Sequence, residues 1–331
     1  MFRLIKKIIV LALIFCLVFE QTGFAQAAAP MGIPAYLSGF SIPDKFRPVH
    51  LRYLSYDPIA NNFDLLLDKG DAKDLKQNQI EETTQELLKY FQIGITLPNK
   101  SFWVNLRPDG ENDVIDPFVE KTDLGKVLLE ADLQLKKDMA KCTSPDTAEG
   151  RQYWDKLYQK AGSLFGGMEV SIPTFTRPWI VPGEIIIRET DESAYIYKAT
   201  LKVMLEQDYL KSSAEYSFDD ERLKILNDYS SQLIRQQVIP KLTKMVNSSK
   251  QYAPLRQVYY SLILAQWFKQ KFHGKEGICS SRIDKMDLSD LGSKTKWSKS
   301  TYFKAYQKSF KNGEYNLSES VYNSYGQTIR R

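Results

Sequence analysis

Residues 184–205 read EIIIRETDESAYIYKATLKVML: an Ile-rich run (184–189) and a Tyr-rich run (194–205) on either side of Thr190, Asp191, Glu192 and Ser193. Branched and aromatic side chains suit a pleated surface. A four-residue polar break between two such runs predicts an antiparallel hairpin. Its second arm is expected to pass into helix near Leu201. Because this hairpin stands between helical stretches instead of alternating with them, it decides the fold class.

Working toward the N-terminus, VHLRYLSY (49–56) and FDLLLDKG (63–70) flank a turn-forming stretch with Pro58, Asn61 and Asn62, a second hairpin pattern. Residues 78–92 place Ile80, Leu87, Leu88 and Phe91 on one helical stripe, and SFWVNL (101–106) reads as a short strand. Thr122 or Asp123 can cap a helix whose buried face is Leu124, Leu128, Ala131, Leu135 and Met139, with Lys126 and Glu130 paired outside. Ser144-Pro145 predicts the start of another helix, with Trp154, Leu157, Tyr158 and Ala161 inward and Gly166-Gly167 closing it.

Toward the C-terminus, Ser217 is the expected cap of a long helix with the stripe Leu223, Leu226, Tyr229, Leu233 and Gln237, which Pro240 kinks or ends. Pro254 opens the most apolar helix of the folded chain, with Leu255, Val258, Tyr259 and Leu262 on one face and Ile263, Leu264, Trp267 and Phe268 on much of the rest. A helix apolar nearly all round belongs in the centre of a core. It stops at His273-Gly274, and a final helix is expected over 301–311. Segregated strands and helices imply an α+β fold of short antiparallel hairpins packed with helices, with a helix-rich C-terminal half.

The first residues are read differently. Arg3, Lys6 and Lys7 precede an unbroken apolar run, IIVLALIFCLV (8–18), and Ala25-Gln26-Ala27 supplies small residues for cleavage. Positive, apolar and small in that order is the pattern of a secretory signal. The run has eleven residues, whereas crossing about 30 Å of hydrocarbon takes roughly 20 in helix. A cleaved signal over 1–27 is therefore preferred to a membrane anchor, and Phe15 speaks against lipidation at Cys16. The expected product is exported, periplasmic or extracellular, with no transmembrane span. Its layout is an Ala/Pro/Gly/Ser-rich lead-in (28–48), one α+β domain (49–280), and a basic, aromatic segment (281–331) docked on it.

Composition, at 43% hydrophobic and 26% charged, is that of a globular chain. The net charge of +5 hides a polarity: residues 61–150 carry 11 Lys/Arg against 18 Asp/Glu, and residues 233–311 carry 16 against 4. Two oppositely charged faces of one body account for this without a dedicated anion site. Cys142 and Cys279 remain after cleavage; outside the cytosol they could form a disulfide or stay as separate buried thiols.

The densest carboxylate group lies in residues 107–123. Asp109, Glu111, Asp113 and Glu120 fall at positions 1, 3, 5 and 12 of a calcium loop, but Val114 stands where that loop needs Gly. Calcium is the one cofactor this pattern suggests. Asp109, Glu111, Asp113 and Asp116 are also the candidate acids of a glycan or peptide hydrolase, which requires a separation sequence does not supply. His50 and His273 fit no zinc spacing, a Cys279–His273 thiol pair is less expected than a structural role, and Ser293-x-x-Lys296 lacks its companion motifs. A solvated acidic loop explains the carboxylates more simply.

Residues 294–311 hold six lysines, no acid and five aromatics. Lys294, Lys296, Trp297, Lys299, Lys304, Lys308 and Lys311 are the candidates for gripping an anionic surface, since cations beside aromatic rings hold phosphates and stack on flat groups. The simpler account docks Tyr302, Tyr306 and Phe310 on the core and leaves the lysines in water. Export argues against nucleic acid, so the partner would be an anionic envelope polymer or another envelope protein.

FWVNLRPD (102–109), KTDLGKVLLEADLQLKKDMA (121–140), TRPWIVPGEIIIRE (176–189), LKVMLEQDYL (201–210) and APLRQVYYSLILAQWFKQKF (253–272) together resemble a group of exported bacterial proteins with no assigned activity. The resemblance implies export and one contiguous fold, and carries no functional residue across. The sequence thus points to an exported envelope or extracellular protein that acts by binding or assembly, with a carboxylate hydrolase as the alternative.

Overall fold

The computed structural model describes residues 45–60, 62–72, 76–97, 117–166, 170–171, 177–210, 220–272, 304–305, 308, 320–322 and 328–330. All lie within the compact unit Ile42–Arg331. Both expected hairpins form. Strands β1 (His50–Asp57) and β2 (Asn62–Asp68) are antiparallel, as are β4 (Pro178–Glu189) and β5 (Ser193–Leu205). They join into one four-stranded sheet of order β2-β1-β5-β4, through Tyr53–Ser55 of β1 and Ser193–Tyr195 of β5. A second, three-stranded sheet is formed by β3 (Val170–Ser171), β6 (Ser320–Tyr322) and β7 (Thr328–Arg330). The architecture is α+β.

Two expectations about β4 and β5 change. β5 does not turn helical at Leu201 but stays extended to Leu205, where α5 (Glu206–Leu210) begins. Its outer residues are held by β4, and its other edge is capped by a helix, as described below. β4 begins at Pro178 and contains Pro182, which an edge strand tolerates because its outer N–H groups need no ladder partner.

The helices are α1 (Gln77–Thr96), the short α2 (Pro117–Glu120), α3 (Asp123–Cys142), α4 (Ala148–Phe165), α6 (Glu221–Leu233), α7 (Ile239–Ser248) and α8 (Ala253–Phe272). Thr122 caps α3, its Oγ1 accepting from Gly125 N at 3.1 Å. α4 starts three residues later than Ser144-Pro145 suggested, because Thr147 Oγ1 accepts from Gly150 N at 3.0 Å and is the cap. Asp220 caps α6, while Ser217 lies outside the described residues. Pro240 does not end the path. One π-turn, Ile234–Val238, absorbs the missing donor and α7 follows directly.

The core sits between the sheet and α8. Tyr56, Phe63, Phe91, Phe268 and Phe272 form an aromatic cluster joining β1, β2, α1 and α8, with Tyr56 edge-on to Phe268 at 5.3 Å. α1 crosses α8 at Gly94, where an added Cβ would stand 2.7 Å from Ala265 Cβ; only glycine permits that approach. α3 is buried on most sides, wider than the five-residue face read from sequence, and encloses Asp132, Lys136 and Asp138. No helix among the described residues is long and apolar enough to cross a membrane.

Candidate functional site

One row of directly paired residues runs across the four-stranded sheet: Leu66 of β2, Tyr53 of β1, Tyr195 of β5 and Arg188 of β4. Strand alternation sends their neighbours Leu54, Ala194 and Ile196 into the core and turns this row outward. Tyr197, two residues beyond Tyr195, shares the outward face and is 54% exposed; Leu66 is 51% exposed. The Arg188 guanidinium lies 5.1 Å from the centroid of the Tyr197 ring.

Arg52 belongs to the same place through a bulge. The β1–β2 register shifts between Leu51 and Tyr53, which leaves Arg52 as the extra residue on β1. Beyond Tyr53 and Tyr195 the pairing of β1 with β5 ceases, so the edge of β5 from Tyr197 onward faces a fork. Arg52 fills its near end: Nη2 donates to the Tyr197 carbonyl at 2.9 Å, Nε to Tyr195 Oη at 3.3 Å and Nη1 to Tyr260 Oη at 3.4 Å. α7 fills the far end. Asn247 Oδ1 accepts from Leu201 N at 2.8 Å, its Nδ2 donates to Leu201 O at 2.7 Å, and Thr243 Oγ1 accepts from Val203 N at 3.2 Å.

The Arg52 guanidinium centre also lies 5.3 Å from the Tyr195 ring centroid and 5.9 Å from that of Tyr260. Behind Tyr260 sits His50, buried, its ring 4.1 Å from the Tyr260 ring and its Nδ1 donating to the Pro48 carbonyl at 2.9 Å. Burial pushes the His50 pKa down; the Pro48 carbonyl and the Asp68 carboxylate, 3.8 Å from Nε2, pull the other way without restoring it. Burial also raises the Tyr260 phenol, partly offset by the charge of Arg52.

Neither Arg52 nor Arg188 is in a direct ion pair with a carboxylate among the described residues, although the charge of Asp68 acts on Arg52. By contrast Arg47, Arg177, Arg222 and Arg235 are paired with Asp71, Glu206, Asp220 and Asp208. A guanidinium carries five N–H groups, and the three bonds of Arg52 engage three of them. The face therefore offers two cations in no direct ion pair among the described residues, set among tyrosine rings and hydroxyls, with the Asp68 carboxylate acting on Arg52 from a longer distance. Such a surface can accept anionic groups through bidentate donors and flat or ring-shaped groups through stacking.

The residues singled out from sequence are distributed otherwise. Asp109, Glu111, Asp113 and Asp116 lie outside the described residues, so of the calcium set only Glu120 is described, half-buried at the end of α2. Cys142 is buried, its thiol pushed up to about 11 by desolvation, and Cys279 lies outside the described residues. Of the basic segment, Lys304 and Lys308 are exposed in helical turns, while Lys294, Lys296, Trp297, Lys299 and Lys311 lie outside the described residues. The strand expected over 101–106 and His273 also lie outside them. No group of three or more His, Cys, Asp or Glu among the described residues could hold a metal ion.

Sequence reading passed over Arg52, Arg188, Tyr53, Tyr195 and Tyr197. The available signal was period-two alternation: in AYIYK the tyrosines share the face opposite the buried Ala194 and Ile196. What alternation does not give is register, and register alone places Arg188 opposite Tyr195 and Tyr53 beside both. No protein-family model matches the chain, and no curated protein or solved structure does.

Proposed function

We propose that the chain is a non-catalytic binding protein of the bacterial envelope or extracellular space, and that the tyrosine–arginine face of its sheet holds an anionic polymer. The observation that carries this reading is Arg52, a half-buried guanidinium bonded to two tyrosine hydroxyls and one carbonyl and paired with no carboxylate among the described residues. Burial disfavours the Arg52 cation, but the tyrosine hydroxyls and the charge of Asp68 raise its pKa on balance, so it stays charged and its two remaining N–H groups can meet a ligand anion. Arg188 on Tyr197 adds a second cation on the same face. The export pattern of residues 1–27 supports the compartment, where phosphate- and carboxylate-bearing polymers are the abundant anions.

Several groups with chemical potential are held in structural roles, which supports binding over catalysis. Asp138 accepts from Gln134, Gln251 and Tyr252, Lys136 and Asp132 pair with each other, and the Cys142 thiol is buried. Co-sedimentation with insoluble anionic cell-wall material tests the reading. Retention that falls in Arg52→Gln/Arg188→Gln, at unchanged melting temperature, supports it. Retention that survives the double substitution but is lost on deleting residues 294–311 would assign the binding to the basic segment and overturn the sheet-face reading.

A further inference from the structure

A second concave surface lies away from the sheet's tyrosine row, between α3 and the start of α8. It is a cleft of about 310 Å³ whose lining includes Val127, Ala131, Gln134, Gln251, Pro254 and Leu255, together with the charged Glu130 and Lys137. That volume is at the small end of the roughly 300–1,000 Å³ usual for ligand sites. The polar part of its wall is organised by one buried carboxylate. Asp138 Oδ1 accepts from Gln134 Nε2 at 3.0 Å, and Oδ2 accepts from Gln251 Nε2 and Tyr252 Oη, both at 2.7 Å.

This triple bond set fixes which way each glutamine faces. A carboxylate oxygen accepts and an amide nitrogen donates, so both Nε2 atoms turn toward Asp138 and both Oε1 atoms turn away. No partner among the described residues takes either Oε1, and neither atom is among the buried, unbonded polar atoms. Two oriented amides therefore line one small cleft beside the apolar surface of Val127, Ala131, Pro254 and Leu255; each presents an acceptor oxygen, and Gln134 a second N–H, while Gln251 also donates to the Tyr252 hydroxyl.

We infer that this cleft binds a neutral, hydroxyl-rich ligand of the size of a sugar ring. A hydroxyl both donates and accepts, so it satisfies an amide oxygen and an amide N–H alike, while the C–H face of a sugar lies on the apolar wall. An ionised carboxylate only accepts and a phosphate adds negative charge; either would meet two amide oxygens and the Asp138 carboxylate behind them. The lining carries one acid, Glu130, and one base, Lys137, which together select neither sign of ion.

The test is saturation-transfer NMR on the full chain with glucose, N-acetylglucosamine and myo-inositol as neutral probes, and glucuronate and inorganic phosphate as charged ones. The inference expects transfer to at least one neutral probe, loss of that transfer in Val127→Tyr, and loss again in Gln134→Leu. Val127→Tyr obstructs the cleft without touching a hydrogen bond of the Asp138 set, so a loss there with an unchanged melting curve reports the cleft and not the fold. Absence of transfer to every neutral probe, transfer that persists in both variants, or transfer to the charged probes alone would overturn it.

Discussion

The guanidinium of Arg256 donates through Nη2 to the carbonyl of Phe46 at 2.7 Å, joining α8 to the strand lead-in across 210 residues of sequence. The same side chain holds the end of α7, with Nη1 on Val246 O at 2.8 Å and Nη2 on Ser249 O at 2.8 Å. Phe46 N in turn donates to Ser248 O at 2.7 Å. Burial lowers the Arg256 pKa to about 10, still far above neutrality, so the cation persists and three carbonyls serve as its counter-charge.

Hydrogen bonds to a charged group contribute about 1.5–3 kcal/mol each, and removing this one also orphans helix-end carbonyls. Arg256→Leu is expected to lower unfolding free energy by on the order of 3 kcal/mol in urea titrations. Arg256→Lys should restore little, because one ammonium does not span three carbonyls in the guanidinium's plane.

Gly94 gives a second prediction. Alanine is favoured over glycine in a helix by about 1 kcal/mol, yet the added Cβ would sit 2.7 Å from Ala265 Cβ and 2.9 Å from Leu262 Cδ2. Gly94→Ala should therefore destabilise, by about 1–3 kcal/mol for overpacking. The swap Gly94→Ala/Ala265→Gly should recover much of the loss, which a double-mutant cycle measures.

The ion pair inside α3 predicts asymmetry. Lys136 Nζ lies 2.5 Å from Asp132 Oδ2, both side chains buried. Lys136→Met removes the cation paired with a buried carboxylate and should cost up to about 3–5 kcal/mol. Replacing both residues by Leu and Met should cost clearly less, and equilibrium unfolding of the three variants checks the order.

The lowered pKa of His50 sets a pH dependence of definite sign. In the unfolded chain the imidazole takes up its proton near about 6.5, while the folded chain resists because burial disfavours the cation beside Arg52 and Arg47. The folded state thus binds fewer protons, and stability falls as pH drops through and below the unfolded value. His50→Asn can retain a donor near Pro48 and removes the titration. The difference in urea midpoint between wild type and variant should widen in the wild type's disfavour from pH 7.5 to pH 5.5.

Hairpins, helix faces and the α+β class were readable because they rest on local periodicity. EIIIRE and AYIYKATLKVML are branched and aromatic runs around a polar turn, and in the stripe along α6 and the π-turn after it Leu226 and Leu233 are buried while Leu223, Tyr229 and Gln237 are half-buried. Boundaries slipped where a side chain several residues away decided them. Thr147, not Pro145, satisfies Gly150 N, and Asn247 and Thr243 of α7 hold Leu201 and Val203 extended. The candidate site was less readable still. Arg52 reaches Tyr195 and Tyr260 across sequence separations of 143 and 208 residues. It does so through a bulge that one sequence does not announce.

The salt dependence of polyanion binding tests the central proposal most directly. Titrating the chain with soluble polyuronate across a range of salt concentrations should give affinity that falls linearly on a log–log plot. Each arginine that meets an anion adds about one unit to that slope, by analogy with phosphate contacts on nucleic acid. The account predicts that Arg52→Gln/Arg188→Gln binds more weakly and with a slope shallower by about two units. Equal affinity and equal slope for the wild type and the double variant would contradict it.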